Sequence, residues 1–176
     1  MSLKLNRMKK AFLTGSVALI LLASCKKDKE NNNVNSTDQT FLTQVAVGNK
    51  AEIMAGQLAA TKGSSSAVKS FGQMMVTEHG QAQTDLQNVY SGVGQTMPDT
   101  VDAEHQALMT RLNSLTGRSF DTAYINSQVR DHQKTLTIFQ AEVNDGNNTS
   151  VKNYANTYLP HIQMHLQKAD SLSRAL

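Results

Sequence analysis

Four segments of this sequence have apolar residues at helical spacing, which form a seam along one face of each predicted helix. One polar side chain interrupts each seam: Glu52, His79, His132 and His165. Neutral imidazole and carboxylate groups are the ligands by which proteins hold Zn²⁺ and related transition metals. Counting from the turns between the helices, at about 1.5 Å of rise per residue, puts all four side chains within about two helical turns of one level. The pattern therefore predicts a site for a single Zn, Cu, Fe or Mn ion inside a helical bundle.

Three further polar residues lie beside this set and are candidates for supporting it. Glu78 and Asp131 each precede a histidine, about 100° around the helix, where they could orient an imidazole. His161 lies one turn before His165 and is a candidate extra ligand. A metal-free polar network explains the same pattern, because a buried carboxylate such as that of Glu52 needs a partner but not necessarily a metal. Both alternatives stay open at the level of sequence.

Other familiar catalytic arrangements are absent from the sequence. Cys25 is the single cysteine, and there is no glycine-rich phosphate loop and no Gly-x-Ser-x-Gly motif. We therefore expect a protein that is not an enzyme, with catalysis by Glu52 and a histidine as the least favoured class.

Helical spacing of apolar residues defines the segments that must position these side chains. The predicted long helices begin at Thr40, at the serines of residues 64–66, at Ser119 or Phe120, and at Ser150, and Pro98-Asp99 opens a short helix between the second and the third. No segment has the alternation of a β-strand. Two helical hairpins joined by a long crossover are the connectivity of ferritin-like four-helix bundles, so we predict an all-α, ferritin-like four-helix bundle over residues 40–176.

The first 39 residues differ in composition from the rest. Lys9 and Lys10 precede an apolar run over residues 11–23, which is short for a bilayer span but suits a signal peptide. The run ends in Leu22-Ala23-Ser24-Cys25, which resembles the bacterial lipobox whose cysteine accepts a lipid. We therefore predict a signal peptide over residues 1–24, and acylated Cys25 followed by a disordered polar tether over residues 25–39.

The distribution of charge limits the partners. Four of the 17 basic residues precede Cys25, which leaves 13 basic against 14 acidic residues after it. A slightly acidic chain without a basic stripe argues against nucleic-acid binding. The predicted partner is the membrane, reached through the lipid anchor. The residue after Cys25 is Lys26 and not the aspartate that resembles an inner-membrane retention signal in enterobacteria, so the outer membrane is favoured. The sequence leaves open whether the protein lies on the periplasmic face or on the cell surface.

Four stretches of the chain carry a combination of residues that is more specific than helical spacing. They are Met75-Val76-Thr77-Glu78-His79, Val129-Arg130-Asp131-His132, the segment 112–117 and Leu159-Pro160. Together they resemble the DUF4142 family of exported bacterial proteins. The resemblance covers residues 41–172 and implies a ferritin-like bundle in the cell envelope, without an established activity. Two functions are compatible with the sequence. The first is a lipid-anchored envelope bundle that binds a metal ion. The second is a metal-free structural or protein-interaction bundle of the envelope, for which a role in stress is one option.

The sequence departs from the better-known ferritin-like enzymes at one informative place. Their di-iron sites use Glu-x-x-His, with a glutamate three residues before each histidine. The corresponding positions here are Val76, Val129 and Ile162, which cannot bind a metal. An ordinary di-iron site is therefore not expected.

Overall fold

Five α-helices account for most of residues 31–176, the part of the chain that the computed structural model describes. They are α1 (Ser36–Lys62), α2 (Ser66–Gly92), α3 (Ala103–Ser114), α4 (Gly117–Asp145) and α5 (Thr149–Ala175). No strand occurs within these residues, which confirms the all-α class. No helix in this part of the chain has the length and apolar character needed to cross a membrane.

The long helices pair as two antiparallel hairpins. Helix α1 packs chiefly on α2 and α4 chiefly on α5, while α1 also contacts α4 and α2 contacts α5. The crossover between the hairpins, residues 93–116, carries the short helix α3. This is the ferritin-like connectivity predicted from the sequence.

Helix α1 begins at Ser36, four residues before the predicted Thr40. Residues 36–39, predicted as part of a disordered tether, are therefore helical. Asn35 and Asp38 form a capping box, in which the Asn35 side chain accepts from the Asp38 backbone N at 2.8 Å and the Asp38 carboxylate accepts from the Asn35 N at 2.6 Å. Residues 31–33 also hydrogen-bond to the α4–α5 turn at Asn147, Asn148 and Thr149. The asparagine run therefore supplies caps and turn contacts. The predicted signal peptide, Cys25 and residues 25–30 of the predicted tether lie outside the described residues.

Two other helices also begin at residues different from those predicted. Helix α3 begins at Ala103 and not at Pro98-Asp99, because the Asp102 carboxylate accepts a hydrogen bond from the His105 backbone N at 2.9 Å. Helix α4 begins at Gly117, earlier than Ser119, where a φ of +58° suits glycine.

Two apolar clusters fill the bundle, with a polar layer between them. One cluster contains Phe41, Leu86, Phe139 and Val151 among others, and the second contains Ala55, Met75, Ile125 and Ala169 among others. Along each long helix the predicted polar residue falls between the residues of one cluster and those of the other. The bundle therefore holds this layer between two well-packed apolar regions.

Helices α1 and α2 approach each other most closely at two glycines. A Cβ placed on Gly72 would lie 2.7 Å from the carbonyl oxygen of Gly56, and one on Gly56 would lie 2.8 Å from that of Gly72. Neither position has room for a side chain, so the two backbones touch. This contact lies one to two turns from Glu52 and His79 along their helices and sets the spacing of the hairpin there.

Candidate metal site

Three histidines from three helices converge in the polar layer. One ring nitrogen each of His79, His132 and His165 lies within 4.8 Å of the other two. The ring centroids are 5.7 Å apart for His79–His132, 5.2 Å for His79–His165 and 5.3 Å for His132–His165. All three residues are at most 4% exposed. The structure therefore places these three seam positions at one level of the bundle.

Asn49 determines which nitrogen of His79 faces its neighbours. The amide Nδ2 of Asn49 donates to the Tyr154 hydroxyl at 3.2 Å, and that hydroxyl donates to the Ala82 carbonyl at 3.2 Å. The Oδ1 of Asn49 therefore faces His79, whose Nδ1 lies 2.9 Å away. Because an amide oxygen only accepts, Nδ1 of His79 carries the proton. Its Nε2 then presents a lone pair, and this atom has no hydrogen-bond partner among the described residues.

The other two histidines follow the same rule with different acceptors. Nδ1 of His132 donates to the backbone carbonyl of Gln128 at 2.9 Å, and Nε2 of His165 donates to the Glu78 carboxylate at 2.8 Å. The opposite nitrogens, Nε2 of His132 and Nδ1 of His165, are buried without a partner in the described part of the chain. Each imidazole thus has one nitrogen fixed by an oxygen acceptor and one free lone pair, which is how metal-binding histidines are oriented in proteins.

The surroundings of the layer keep the imidazoles neutral. Burial lowers the pKa of His79 well below its ordinary value, and the proximity of His132 adds to this effect. Burial lowers the pKa of His132 to about 4 although its backbone hydrogen bond acts in the opposite direction. Burial, together with His132, lowers the pKa of His165 to about 4 against the effect of Glu78. Neutral imidazole is the form that can bind a metal.

Glu52 lies beside the three histidines but outside the group of converging atoms. Its Oε1 is 3.8 Å from Nδ1 of His132, the nitrogen that donates to the Gln128 carbonyl, and its Oε2 accepts a hydrogen bond from Nε2 of Gln128 at 2.7 Å. Burial raises the pKa of Glu52 to about 7, against the effect of Gln128. The structure therefore does not place Glu52 among the convergent ligand atoms, contrary to its predicted position as the fourth of them.

The flanking residues differ from the prediction in their partners. Glu78 does not contact His79, the histidine that follows it, but reaches across to α5, where it accepts from His165 and lies 3.2 Å from Nδ1 of His161. Burial alone would raise the pKa of Glu78, but the hydrogen bonds from these two histidines outweigh it and lower the pKa. His161 is largely exposed and not part of the converging group. Asp131 pairs with Arg130 at 3.2 Å and has no hydrogen bond to a histidine.

Asn49 and Gln128 are the site residues whose roles the sequence did not reveal. Asn49 lies three residues before Glu52 and Gln128 four residues before His132, so both share a helical face with a predicted site residue. That spacing was the available signal. An amide one turn away from a seam histidine is common, however, and only the cross-helix contacts distinguish these two from other asparagines and glutamines in the chain.

The arrangement can supply three neutral nitrogen donors to one cation. With metal–nitrogen distances of about 2.0–2.1 Å, tetrahedral donors lie about 3.3 Å apart, so nitrogens that now lie within 4.8 Å of one another would approach by at most about 1.5 Å on binding. The residues present therefore fit a transition-metal ion with three protein ligands.

Comparison with known proteins places this bundle among domains without an assigned activity. Its fold is similar to that of a DUF305 fragment from Deinococcus radiodurans, with a TM-score of 0.72, 10% identity, and coverage of 81% of this chain and 99% of that chain. It is also similar to a conserved hypothetical protein, rv2844, from Mycobacterium tuberculosis, with a TM-score of 0.63, 18% identity, and coverage of 80% and 93%. At these identities the likeness establishes the fold alone.

Sequence comparison is more specific about the family. No curated protein is significantly similar to the chain. The model of a domain of unknown function, DUF4142, matches residues 23–172, which is most of the 176-residue chain. The chain therefore belongs to the DUF4142 family.

Proposed function

We propose that this protein binds one transition-metal ion through Nε2 of His79, Nε2 of His132 and Nδ1 of His165. Two observations together carry the proposal: one ring nitrogen of each histidine lies within 4.8 Å of one from each of the other two, and each ring has one buried nitrogen without a partner among the described residues. Each opposite nitrogen donates to a fixed oxygen acceptor. This combination of orientation and free lone pairs supports a metal site more strongly than burial of histidines does.

The metal-free polar network, the alternative interpretation of the same residues, accounts less well for this geometry. A network stabilises a core when its members satisfy one another, and a buried group left without a partner costs about 1–3 kcal/mol. Here one nitrogen of each of the three histidines is satisfied and the other is buried without a partner among the described residues. In a metal-free network, a rotamer that brought at least one of these nitrogens to a hydrogen-bonding partner would be lower in free energy.

The donor set also narrows the choice of metal. Three imidazoles suit Zn²⁺, copper or iron, whereas Mn²⁺ and Mg²⁺ prefer oxygen ligands. Of the four candidate ions named from the sequence, manganese is therefore the least favoured. Three protein ligands leave a tetrahedral ion with a fourth position, which is the usual arrangement of exchangeable or reactive sites as opposed to closed structural ones.

Metal content and affinity test this proposal directly. The full chain, purified in detergent, should contain or take up one Zn²⁺ or copper ion, measured by elemental analysis and by titration. His132→Ala should lower the content well below one ion per chain, because it removes one of three donors. His105→Ala removes a histidine outside the converging group and should leave one ion bound. Equal metal content in the two variants, or none in the wild type, would contradict the proposal.

We infer in addition that the bundle is held at the cell envelope by a lipid on Cys25. The lipobox-like Leu22-Ala23-Ser24-Cys25 and the preceding Lys9 and apolar run support this inference. Two or more acyl chains provide stable anchoring, whereas one gives marginal binding. Cys25→Ala should abolish incorporation of labelled fatty acid and leave an unprocessed precursor. A native N-terminus without lipid, found by mass spectrometry, would refute the anchor while leaving the metal site untouched.

A further inference from the structure

One cavity connects the three-histidine layer with the outside of the bundle. It has a volume of about 360 Å³, lies between α1, α4 and the beginning of α3, and is lined by His79, His132 and Glu52 at its inner end. A second cavity reaches His79 and His165 from the α2–α5 side, but its volume is only about 10 Å³. Because one water needs about 10–15 Å³ of such space, the second cavity holds one water at most. Of these two cavities in the described part of the chain, the first alone has room for a hydrated cation.

The outer wall of the large cavity carries more negative than positive charge. Asp102, Glu104 and Asp131 line it, in addition to Glu52. Lys134 also lines it and forms an ion pair with Glu104 at 2.8 Å. Arg130 lies 3.2 Å from Asp131, and Nδ1 of His105 lies 2.7 Å from Asp102. The three carboxylates of Asp102, Glu104 and Asp131 thus exceed the two cations Lys134 and Arg130 by one negative charge. The Glu52 carboxyl, whose pKa burial raises to about 7, adds part of another negative charge near neutral pH.

Two of the proposed metal-binding histidines line the same cavity as these carboxylates. His79 and His132 line its inner end, are 4% and 2% exposed, and each have an Nε2 without a partner among the described residues. The acidic wall is thus the outer part of a path that ends at the proposed ligand atoms. An acidic patch elsewhere on a helical surface would have no such end point.

We propose that this cavity is the entrance through which hydrated divalent transition-metal cations reach and leave the three-histidine site, with Asp131 as the principal steering carboxylate. The inference rests on the metal site proposed above and adds that the bound ion exchanges with solution, as in a metal carrier or buffer. Asp131 holds this place because it immediately precedes His132 and lines the same wall. A charged wall raises the local concentration of the opposite ion and its association rate, and salt weakens that effect.

Gly48 provides a way to close the entrance without altering any charged group or ligand. It lines the cavity, and a Cβ added there meets no atom within 4 Å. Gly48→Leu should therefore place an apolar side chain in the passage. Gly80 on α2 is a matched control, since a Cβ there also meets nothing within 4 Å and the residue does not line this cavity. Asp170→Asn on α5 is the corresponding control for loss of a carboxylate away from the entrance.

Stopped-flow measurements with Co²⁺, followed by its visible absorption, test the entrance in the full chain purified in detergent. We expect Asp131→Asn to slow association about threefold to tenfold at low ionic strength, with the difference shrinking as salt is raised. We expect Gly48→Leu to slow association and EDTA-driven release by similar factors, so that the dissociation constant hardly changes. Gly80→Leu and Asp170→Asn should exchange Co²⁺ at the wild-type rates.

The outcomes separate this inference from the proposed function. Normal Co²⁺ affinity with unchanged rates in both entrance variants would overturn the entrance and leave the metal site standing. Failure of the wild type to bind Co²⁺, Zn²⁺ or copper would overturn both. The Asp131 measurement decides the question even if the leucine at position 48 prevents folding, because the asparagine differs from aspartate by little more than charge.

Discussion

Replacing Asn49 by leucine should weaken metal binding although Asn49 contributes no ligand atom. Its Oδ1 accepts from Nδ1 of His79 at 2.9 Å and so leaves Nε2, which has no partner among the described residues, as the nitrogen of this ring available to a metal. Leucine has nearly the same shape and no acceptor, so it leaves the His79 ring free to change its protonated nitrogen or to rotate. The Tyr154 hydroxyl keeps its bond to the Ala82 carbonyl, which confines the perturbation to one histidine.

The expected magnitude follows from the geometry of this single support. Loss of an oxygen that orients a metal-binding histidine typically costs about 10–100-fold in affinity. At an ion concentration about 100 times the wild-type dissociation constant, binding stabilises the fold by about 2.7 kcal/mol. A 30-fold weaker variant gains only about 0.9 kcal/mol under the same conditions. For a domain of this size that is a rise in Tm of about 5–11 °C in the wild type and about 2–4 °C in the variant.

Thermal unfolding with and without Zn²⁺, followed by far-UV circular dichroism, measures this difference. Asn49→Leu also breaks two buried hydrogen bonds, at a cost of about 1–3 kcal/mol in the metal-free protein, so the quantity compared is the metal-dependent rise in Tm of each protein. Asn49→Asp keeps an oxygen acceptor facing His79 and is the matched control, expected to retain most of the rise. An identical rise in the wild type and in Asn49→Leu would refute the orientation assigned to the His79 ring.

Two further predictions concern the bundle itself. Gly72→Ala should lower the free energy of unfolding by about 1–3 kcal/mol in urea titrations, because its Cβ would lie 2.7 Å from the Gly56 carbonyl oxygen. Gly80→Ala, where a Cβ meets no atom within 4 Å, should raise the free energy of unfolding by up to about 1 kcal/mol. Equal effects of the two substitutions would contradict the close approach of α1 and α2. Burial and the adjacent Asp38 raise the pKa of Glu142 from 4.5 to about 8, so its proton favours the folded state and stability should fall as pH rises from about 4.5 to 8. Glu142→Gln should flatten that fall, and an unchanged pH profile would refute the assignment.

The fold and the positions of the three histidines could be predicted because both depend on helical periodicity. His79, His132 and His165 each occupy a place where the period of their helix demands an apolar residue, so each had to point inward. Their common level followed from the short α1–α2 and α4–α5 turns, which fix the register of each hairpin. Periodicity and turn length are local properties that a single sequence displays.

The partners of these histidines could not be predicted because they depend on contacts between helices. Glu78 is next to His79 in sequence, yet it binds His165 on another helix. Glu52 has the right height and face for a ligand, but its carboxylate accepts from Gln128 and is not among the ligand atoms that converge. Side-chain rotamers and the rotation of one helix against another decide such contacts. Asn49 was overlooked for the same reason.

The histidine layer is costly for the bundle, and that cost is itself an argument for a bound ion. Three buried nitrogens without partners, at about 1–3 kcal/mol each, are a large share of the roughly 5–15 kcal/mol by which a domain of this kind is stable. Other buried polar atoms of the described residues, among them Oε1 of Gln128 and the Tyr124 hydroxyl, also lack a partner, but the three histidine nitrogens differ from them in belonging to three rings that converge from three helices. Within the three imidazoles the unsatisfied atoms are the inner nitrogens, where one cation would satisfy all three at once. A layer maintained only for packing would be more stable with leucine in all three places.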